Sequence, residues 1–110
     1  MPKTEQDLRK EERIYSEVKK LNTIYKELPE NKRKTVDKLI GNAAFMAVTL
    51  EDLQSVINIK GYIEEYQNGA NQKGFKKSSE IEIYNTMIIN YTSVIKQLTD
   101  LLPEDKENKL

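Results

Sequence analysis

Apolar residues recur at steps of three and four near the end of the chain. Seven of them form one stripe, namely Ile81, Tyr84, Ile88, Tyr91, Ile95, Leu98 and Leu102. This spacing is typical of one face of an α-helix. Ser79 followed by Glu82 has the form of a capping box at the start, and Pro103 ends the helix because it has no N–H. We therefore predict a long helix over 79–102 whose apolar stripe needs a covering surface.

A similar stripe lies near the start of the chain, over residues 4–28, and Pro29 ends it. The opposite face carries charged doublets, which is typical of a solvated surface. Two such helices predict self-association, and the candidate contact residues are Ile14, Val18, Leu21, Tyr25, Tyr84, Ile88, Tyr91, Ile95 and Leu98. The same stripes would also serve packing inside one subunit. The sequence leaves this alternative open for the first helix.

Two shorter helices are predicted in the middle of the chain, over 31–48 and 49–60. Thr49, with two acidic residues in the turn that follows, has the form of a new N-cap. Gly61 is placed as the C-cap of the second of these helices. A break near Thr49 also has the outline of a helix-turn-helix, but this signal is weak because such breaks join helices in many proteins that never bind DNA.

Over residues 62–77 an alternating pattern replaces the helical one. Asn68-Gly69 is the dipeptide favoured in two-residue hairpin turns. We predict a small β-hairpin or ordered loop here, which would be marginally stable if isolated. Its lysines and aromatic residues suit contact with phosphate. The structural alternative is that Tyr66 and Phe75 only hold the hairpin on the helices.

The predicted fold class is all-α, a bundle of about four helices with a small β-hairpin or ordered loop before the long C-terminal helix. The 110 residues suffice for a single domain, and the polar residues 103–110 are expected to form a frayed tail. No apolar run approaches the roughly 20 residues of a membrane span, and the N-terminus lacks the apolar core of a signal peptide. We expect a cytoplasmic protein without membrane contact.

The composition excludes several kinds of chemistry. The chain has no cysteine and no histidine, which excludes disulfides, thiol nucleophiles, imidazole catalysis and the usual zinc sites. Acidic doublets such as Glu11-Glu12 diverge by about 100° on a helix, so they do not converge on one metal ion. A Walker-type phosphate loop is also absent from the sequence. We expect no catalytic centre, no metal and no cofactor.

Charge is balanced overall but unevenly spread. The sequence holds 18 basic and 18 acidic residues, yet two zones are basic. They consist of Lys32, Arg33, Lys34 and Lys38, and of Lys73, Lys76 and Lys77. Phosphate contact through such zones would be salt-sensitive and weakly sequence-specific, and repetition over several subunits would raise avidity. The ordinary alternative is a solvated charged surface.

The last third of the chain carries a run of recognisable motifs. They read Asn68-Gly69-Ala70-Asn71-Gln72-Lys73-Gly74-Phe75-Lys76-Lys77-Ser78-Ser79-Glu80, then Tyr84-Asn85-Thr86-Met87, then Tyr91-Thr92-Ser93-Val94-Ile95-Lys96-Gln97-Leu98, and finally Leu101-Leu102-Pro103. With similar segments upstream, the motifs span roughly residues 20–103. They resemble the small terminase subunits of tailed phages and prophages, in the short variety that precedes the large terminase gene in phages of Gram-positive hosts.

The resemblance implies a role in DNA packaging. In that family a ring-forming adaptor without a catalytic centre binds viral DNA and delivers it to, or regulates, the ATP-driven large subunit. The implied partners are double-stranded DNA, the large terminase subunit and further copies of the chain, and the seven basic residues above become candidates for DNA contact. The alternative is a non-catalytic helical regulator that dimerises without nucleic acid, which the zero net charge favours.

Overall fold

Three helices and one β-hairpin make up the chain in the computed structural model, which describes residues 2–67, 69 and 72–102. In chain order the elements are α1 (Glu5–Tyr25), α2 (Glu30–Lys60), β1 (Ile63–Gln67), β2 (Lys73–Lys77) and α3 (Ser79–Asp100). The predicted helical character and the hairpin before the last helix are confirmed. The predicted number of helices is wrong, because the described residues form three rather than four.

The long helix α2 runs through the position where the sequence predicted a break. Thr49 is an interior helical residue rather than an N-cap. Its neighbours Val48 and Leu50 are both buried. Opening the backbone between them would leave N–H and C=O groups without partners in an apolar environment, so tertiary packing overrides the capping preference of threonine. The helix-turn-helix interpretation is therefore wrong.

Packing on both sides explains why α2 buries residues around more than one face. With 31 residues it is about 46 Å long at 1.5 Å per residue, and it contacts both α1 and α3. The Arg13 guanidinium pairs with Glu51 and Asp52, at 3.0 and 2.7 Å, so the first half of α1 lies beside the second half of α2. The ammonium of Lys60 lies 2.8 Å from the Glu80 carboxylate. Both neighbours therefore run antiparallel to α2.

The core lies where the ends of α1 and α3 meet the first half of α2. Its fully buried residues are Tyr25, Val36, Ile40, Ala43 and Leu98. Around them pack Val18, Leu21, Ile24, Leu28, Leu39, Tyr91, Val94, Ile95, Leu101 and Leu102. The stripes of α1 and α3 thus pack into a core within the chain, with Tyr25 and Leu98 fully covered and the other stripe residues half-buried. The prediction of an intersubunit contact is wrong for Tyr25 and Leu98, which are each only 1% exposed.

The start of α3 depends on the hairpin that precedes it. The N-cap is Ser78, whose hydroxyl accepts a hydrogen bond from the Ile81 N–H at 3.2 Å. The N–H of Ser78 donates to the Tyr62 carbonyl at 2.8 Å, and this strand-like contact sets the position of the cap. The predicted cap at Ser79 is therefore wrong by one residue, and the N3 position is Ile81 rather than the Glu82 of the predicted capping box. Pro103, the predicted end of the helix, lies outside the described residues.

The hairpin is antiparallel, with Ile63 opposite Lys77 and Gln67 opposite Lys73. Five residues, 68–72, connect the strands, which is longer than the two-residue turns in which Asn-Gly is favoured. Gly69 adopts a φ of 91°, a left-handed conformation that glycine adopts readily, whereas Asn68 lies outside the described residues. α1 also ends three residues earlier than predicted, at Tyr25.

Candidate nucleic-acid interface

The first basic zone lies in the opening turns of α2. The Arg33 guanidinium donates to the Lys26 carbonyl at 2.7 Å and so ties the start of α2 to the connection from α1. Lys32, Lys34 and Lys38 are exposed, and none of the three forms an ion pair with a described residue. The zone therefore consists of three free ammonium groups and one guanidinium with a structural contact.

Lys34 and Lys38 stand one helical turn apart on the same side of α2. Together with Thr35 and Leu39 they line a shallow depression. Residues at this spacing are neighbours on a helix surface. An anionic group in this depression would meet two cations and no carboxylate among the lining residues.

The second basic zone is divided between the two faces of the hairpin, because side chains alternate along a strand. Lys76 lies on one face, where its ammonium is 3.4 Å from the Glu64 carboxylate. The hydroxyl of Ser79 donates to the same carboxylate at 3.5 Å, so this face is turned toward the start of α3. Lys73 and Lys77 lie on the other face and form no ion pair within the described part of the chain.

Phe75 stands between Lys73 and Lys77 on the outward face and is 77% exposed. The structural alternative, in which Phe75 holds the hairpin on the helices, is therefore wrong. Tyr66 lies on the opposite face, and its ring crosses Gly74 within the hairpin itself. The outward face consequently presents an aromatic ring between two free lysines.

One subunit does not bring the two basic zones together. The stretch of α2 from Lys38 to Lys60 is about 33 Å long at about 1.5 Å per residue, and the hairpin lies beyond its far end. The molecule extends 63 Å along its longest axis. A compact anion site that uses all seven predicted basic residues is thus excluded. Contact with both zones requires a long ligand or several subunits.

Two ion-pair contacts between helices escaped the sequence analysis. Arg13 bridges from α1 to Glu51 and Asp52, and the hydrogen bonds that its guanidinium donates to these carboxylates raise its pKa. The Lys60 ammonium holds the pKa of the Glu80 carboxyl below its usual value through a hydrogen bond, and the pKa of Lys60 is raised in turn. Both contacts join residues far apart in the chain, so no local pattern reveals them.

Several exposed apolar side chains lie outside the predicted stripes. Ile83 and Ile89 of α3 are 51% and 69% exposed, and Phe45 of α2 is 48% exposed. Phe45 and Ile83 line an open groove between α2 and α3, together with Met46 and Met87. Of the candidate contact residues, Ile14, Tyr84 and Ile88 are half-buried. A signal for the missed residues was present in the sequence, since isoleucines stand on both sides of the α3 stripe.

Neither a metal centre nor a membrane span is found in the part of the chain that the structure describes. Within residues 2–67, 69 and 72–102, no three acidic side chains are grouped closely enough to hold a metal ion. In the same ranges no helix has both the length and the apolar character needed to cross a membrane.

Comparison of the chain with protein-family models, with curated proteins and with solved structures gave no match.

Proposed function

We propose that the chain is a DNA-packaging adaptor of the small terminase type, acting in the cytoplasm of a host cell. It assembles with further copies of itself, binds double-stranded DNA and recruits or regulates the ATP-driven large terminase subunit. The observation that carries the DNA contact is that five lysines of the two basic zones are exposed and have no ion-pair partner among the described residues, namely Lys32, Lys34, Lys38, Lys73 and Lys77. The resemblance of roughly residues 20–103 points to viral DNA and the large subunit as the partners.

Free lysines suit this role because binding to phosphate then requires no internal ion pair to break. Each such contact releases a counterion from DNA, so affinity falls as salt rises. Arg33 and Lys76 contribute less, since each already has a partner inside the chain. Contacts of this kind carry little sequence information. The adaptor therefore holds DNA mainly by charge, and repetition over copies strengthens the hold.

A mobility-shift titration with duplex DNA tests the proposal. The test variants are Lys34→Ala/Lys38→Ala and Lys73→Ala/Lys77→Ala. Each should weaken binding and lower the slope of log affinity against log salt by about 2, one for each lost phosphate contact.

The matched control is Lys19→Ala/Lys20→Ala on α1, which removes the same charge. Lys19 lies 4.4 Å from the centre of the Tyr15 ring, and Lys20 lies 3.3 Å from the Glu17 carboxylate, so both already have partners. The control should bind DNA nearly as wild type does. An equal loss of DNA affinity in all three variants would mean that only net charge matters. Unchanged affinity in all of them would reject the proposed interface.

The second candidate function is a helical regulator that dimerises without nucleic acid. The observation that favours it is the open apolar groove between α2 and α3, with Phe45 and Ile83 on its walls. Light scattering with and without a DNA duplex separates the two functions. The packaging adaptor should form a higher oligomer that binds DNA and releases it as salt rises, whereas the regulator should form a dimer that ignores DNA.

A further inference from the structure

The two strands of the hairpin carry opposite charge. β1 contains two glutamates and no basic residue, whereas β2 contains three lysines and no acidic residue. Only the Glu64–Lys76 pair joins these charges as an ion pair within the described residues. Glu65, Lys73 and Lys77 are exposed on the outward face without an ion-pair partner there.

Both strands also present an outer edge. The sheet contains β1 and β2 alone among the described residues, so each strand has one neighbour. Tyr62 and Ser78 form a hydrogen-bonded pair, and hydrogen-bonded and non-hydrogen-bonded pairs alternate along an antiparallel ladder. The pairs Ile63–Lys77 and Glu65–Phe75 are therefore non-hydrogen-bonded. Their backbone N–H and C=O groups point away from the partner strand, toward the outer edges.

We propose that copies of this chain join edge to edge through their hairpins, with the outer edge of β1 in one copy pairing antiparallel with the outer edge of β2 in the next. The occupant of each edge is thus a second copy of the chain. This inference deepens the self-association in the proposed function and rests on it to that extent. It replaces the helical stripes as the principal contact, because the core residues of those stripes are covered within the subunit.

Charge selects this pairing over the alternatives. Two β1 edges would place Glu65 against its own copy, and two β2 edges would place Lys73 and Lys77 against theirs. Like charges on neighbouring strands destabilise a sheet, whereas opposite charges stabilise it. Pairing β1 with β2 of the next copy places Glu65 beside the lysines on the same sheet face. The lysine side chains stay on that face, and one glutamate against two lysines leaves a net positive charge there for phosphate.

Pairing of β1 with β2 determines what kind of assembly can form. A contact between two different edges is head-to-tail, so every added copy presents the same free edge again. Such contacts close into a ring or continue as a filament. A two-stranded ribbon is only marginally stable, and the added strands would stabilise it. The lysines on the free β2 edge also disfavour aggregation, because charged side chains on an edge strand hinder its pairing with strands that lack an opposite charge.

The experiment compares Phe75→Pro with Phe75→Thr by light scattering in the absence of DNA. Proline removes the outward N–H at position 75 without touching the pairs inside the hairpin, and an edge strand tolerates it. Threonine removes the same ring but keeps the N–H. We expect wild type and Phe75→Thr to assemble and Phe75→Pro to fall to the 12.8 kDa monomer, with unchanged helical circular dichroism. Assembly of Phe75→Pro like that of Phe75→Thr, or a monomeric wild type, would overturn the inference.

A charge-reversal mixture gives a second test that does not depend on proline. Glu65→Lys alone and Lys73→Glu/Lys77→Glu alone should each fail to assemble, because both edges then carry the same charge. An equimolar mixture should assemble again, since each variant supplies the edge that the other lacks. A mixture that stays monomeric while both variants are folded would overturn edge pairing.

DNA binding is measured on wild type and Phe75→Pro separately. Assembly through the edges with no DNA binding rejects only the proposed function, and DNA binding with assembly insensitive to proline rejects only the edge pairing.

Discussion

The hydroxyl of Tyr25, at the end of α1, donates a hydrogen bond to the backbone carbonyl of Leu98, near the end of α3. Both residues are 1% exposed, and 73 positions separate them in the chain. The Leu98 carbonyl also accepts from the Leu101 N–H at 3.1 Å. Tyr25 thus supplies a second donor to a carbonyl in the last turn of α3. It links the first helix to the last at the centre of the core.

Removal of this hydroxyl should destabilise the protein. We expect Tyr25→Phe to lower the free energy of unfolding by about 1 kcal/mol, the usual net value of a buried hydrogen bond, because the carbonyl keeps its second donor. Urea denaturation at neutral pH measures the change. Tyr15→Phe is the matched control, since its ring is 60% exposed, and it should change the free energy by only a few tenths of a kcal/mol. Equal effects of the two variants would contradict the structural role of the Tyr25 hydroxyl.

Alkaline pH should destabilise the fold through the half-buried Tyr91. Burial raises the pKa of Tyr91, and the carboxylates of Glu17 and Glu51 raise it further. The unfolded chain then loses the phenolic proton at about pH 10 while the folded chain still holds it. Since the folded state binds more protons in that range, the free energy of unfolding falls as pH rises above about 10.

Replacing the tyrosine isolates this contribution. From pH 8 to 11, wild type should lose more stability than Tyr91→Phe, which has no phenol to titrate. Urea denaturation across this range provides the measurement. Parallel curves for wild type and Tyr91→Phe would show that the Tyr91 phenol titrates alike in both states.

Replacing Thr49 by valine tests whether α2 is one continuous helix or two. The sign of the resulting change in stability differs between the two cases. The hydroxyl oxygen of Thr49 is buried and has no hydrogen-bond partner in the described structure. Thr49→Val keeps the shape of the side chain and removes that oxygen, so it should stabilise the protein by about 1 kcal/mol. Were Thr49 an N-cap, the same change would cost about 1 kcal/mol. Thermal denaturation gives the sign, and Thr35→Val at an exposed site of the same helix is the control.

Gly74 and Tyr66 form a coupled pair across the hairpin. A Cβ added at Gly74 would lie 2.9 Å from three atoms at the end of the Tyr66 side chain, so the ring would have to move. Replacing a strand glycine by alanine ordinarily stabilises by about 0.5–1 kcal/mol. We expect Gly74→Ala to give no such gain in wild type but to give it in a Tyr66→Thr background. Amide hydrogen exchange of β1 measures hairpin stability in the four proteins of the cycle, and equal effects in both backgrounds would contradict the coupling.

Local pattern was sufficient for α1, the hairpin and α3, but not for the continuity of α2. The three-and-four spacing that includes Val18 and Ile95 placed α1 and α3 within a few residues of their ends, and alternation placed the hairpin. Capping was less predictable. Ser78 and Ser79 are equally good caps in the sequence, and the choice falls to Ser78 because its backbone pairs with Tyr62.

The sequence showed which basic residues make up the candidate site, but not which of them are free to bind phosphate. Both basic zones are visible as runs of lysine and arginine. Which of those cations are free depends on partners elsewhere in the structure, such as Glu64 for Lys76 and the Lys26 carbonyl for Arg33. The opposite charges of β1 and β2 are also visible in the sequence, whereas the direction of their free edges follows from the register of the pairing.

Periodicity in the chain establishes which face of each helix is apolar, and it does so because side chains repeat every 3.6 residues on a helix and every two on a strand. It does not establish what covers that face, since an apolar stripe is complementary to any other. Tertiary packing made α2 one continuous helix through Thr49 and buried Tyr25 and Leu98 inside one subunit. The burial of α2 from two sides depends on α1 and α3, which are far apart in sequence. No local pattern predicts that they contact the same helix.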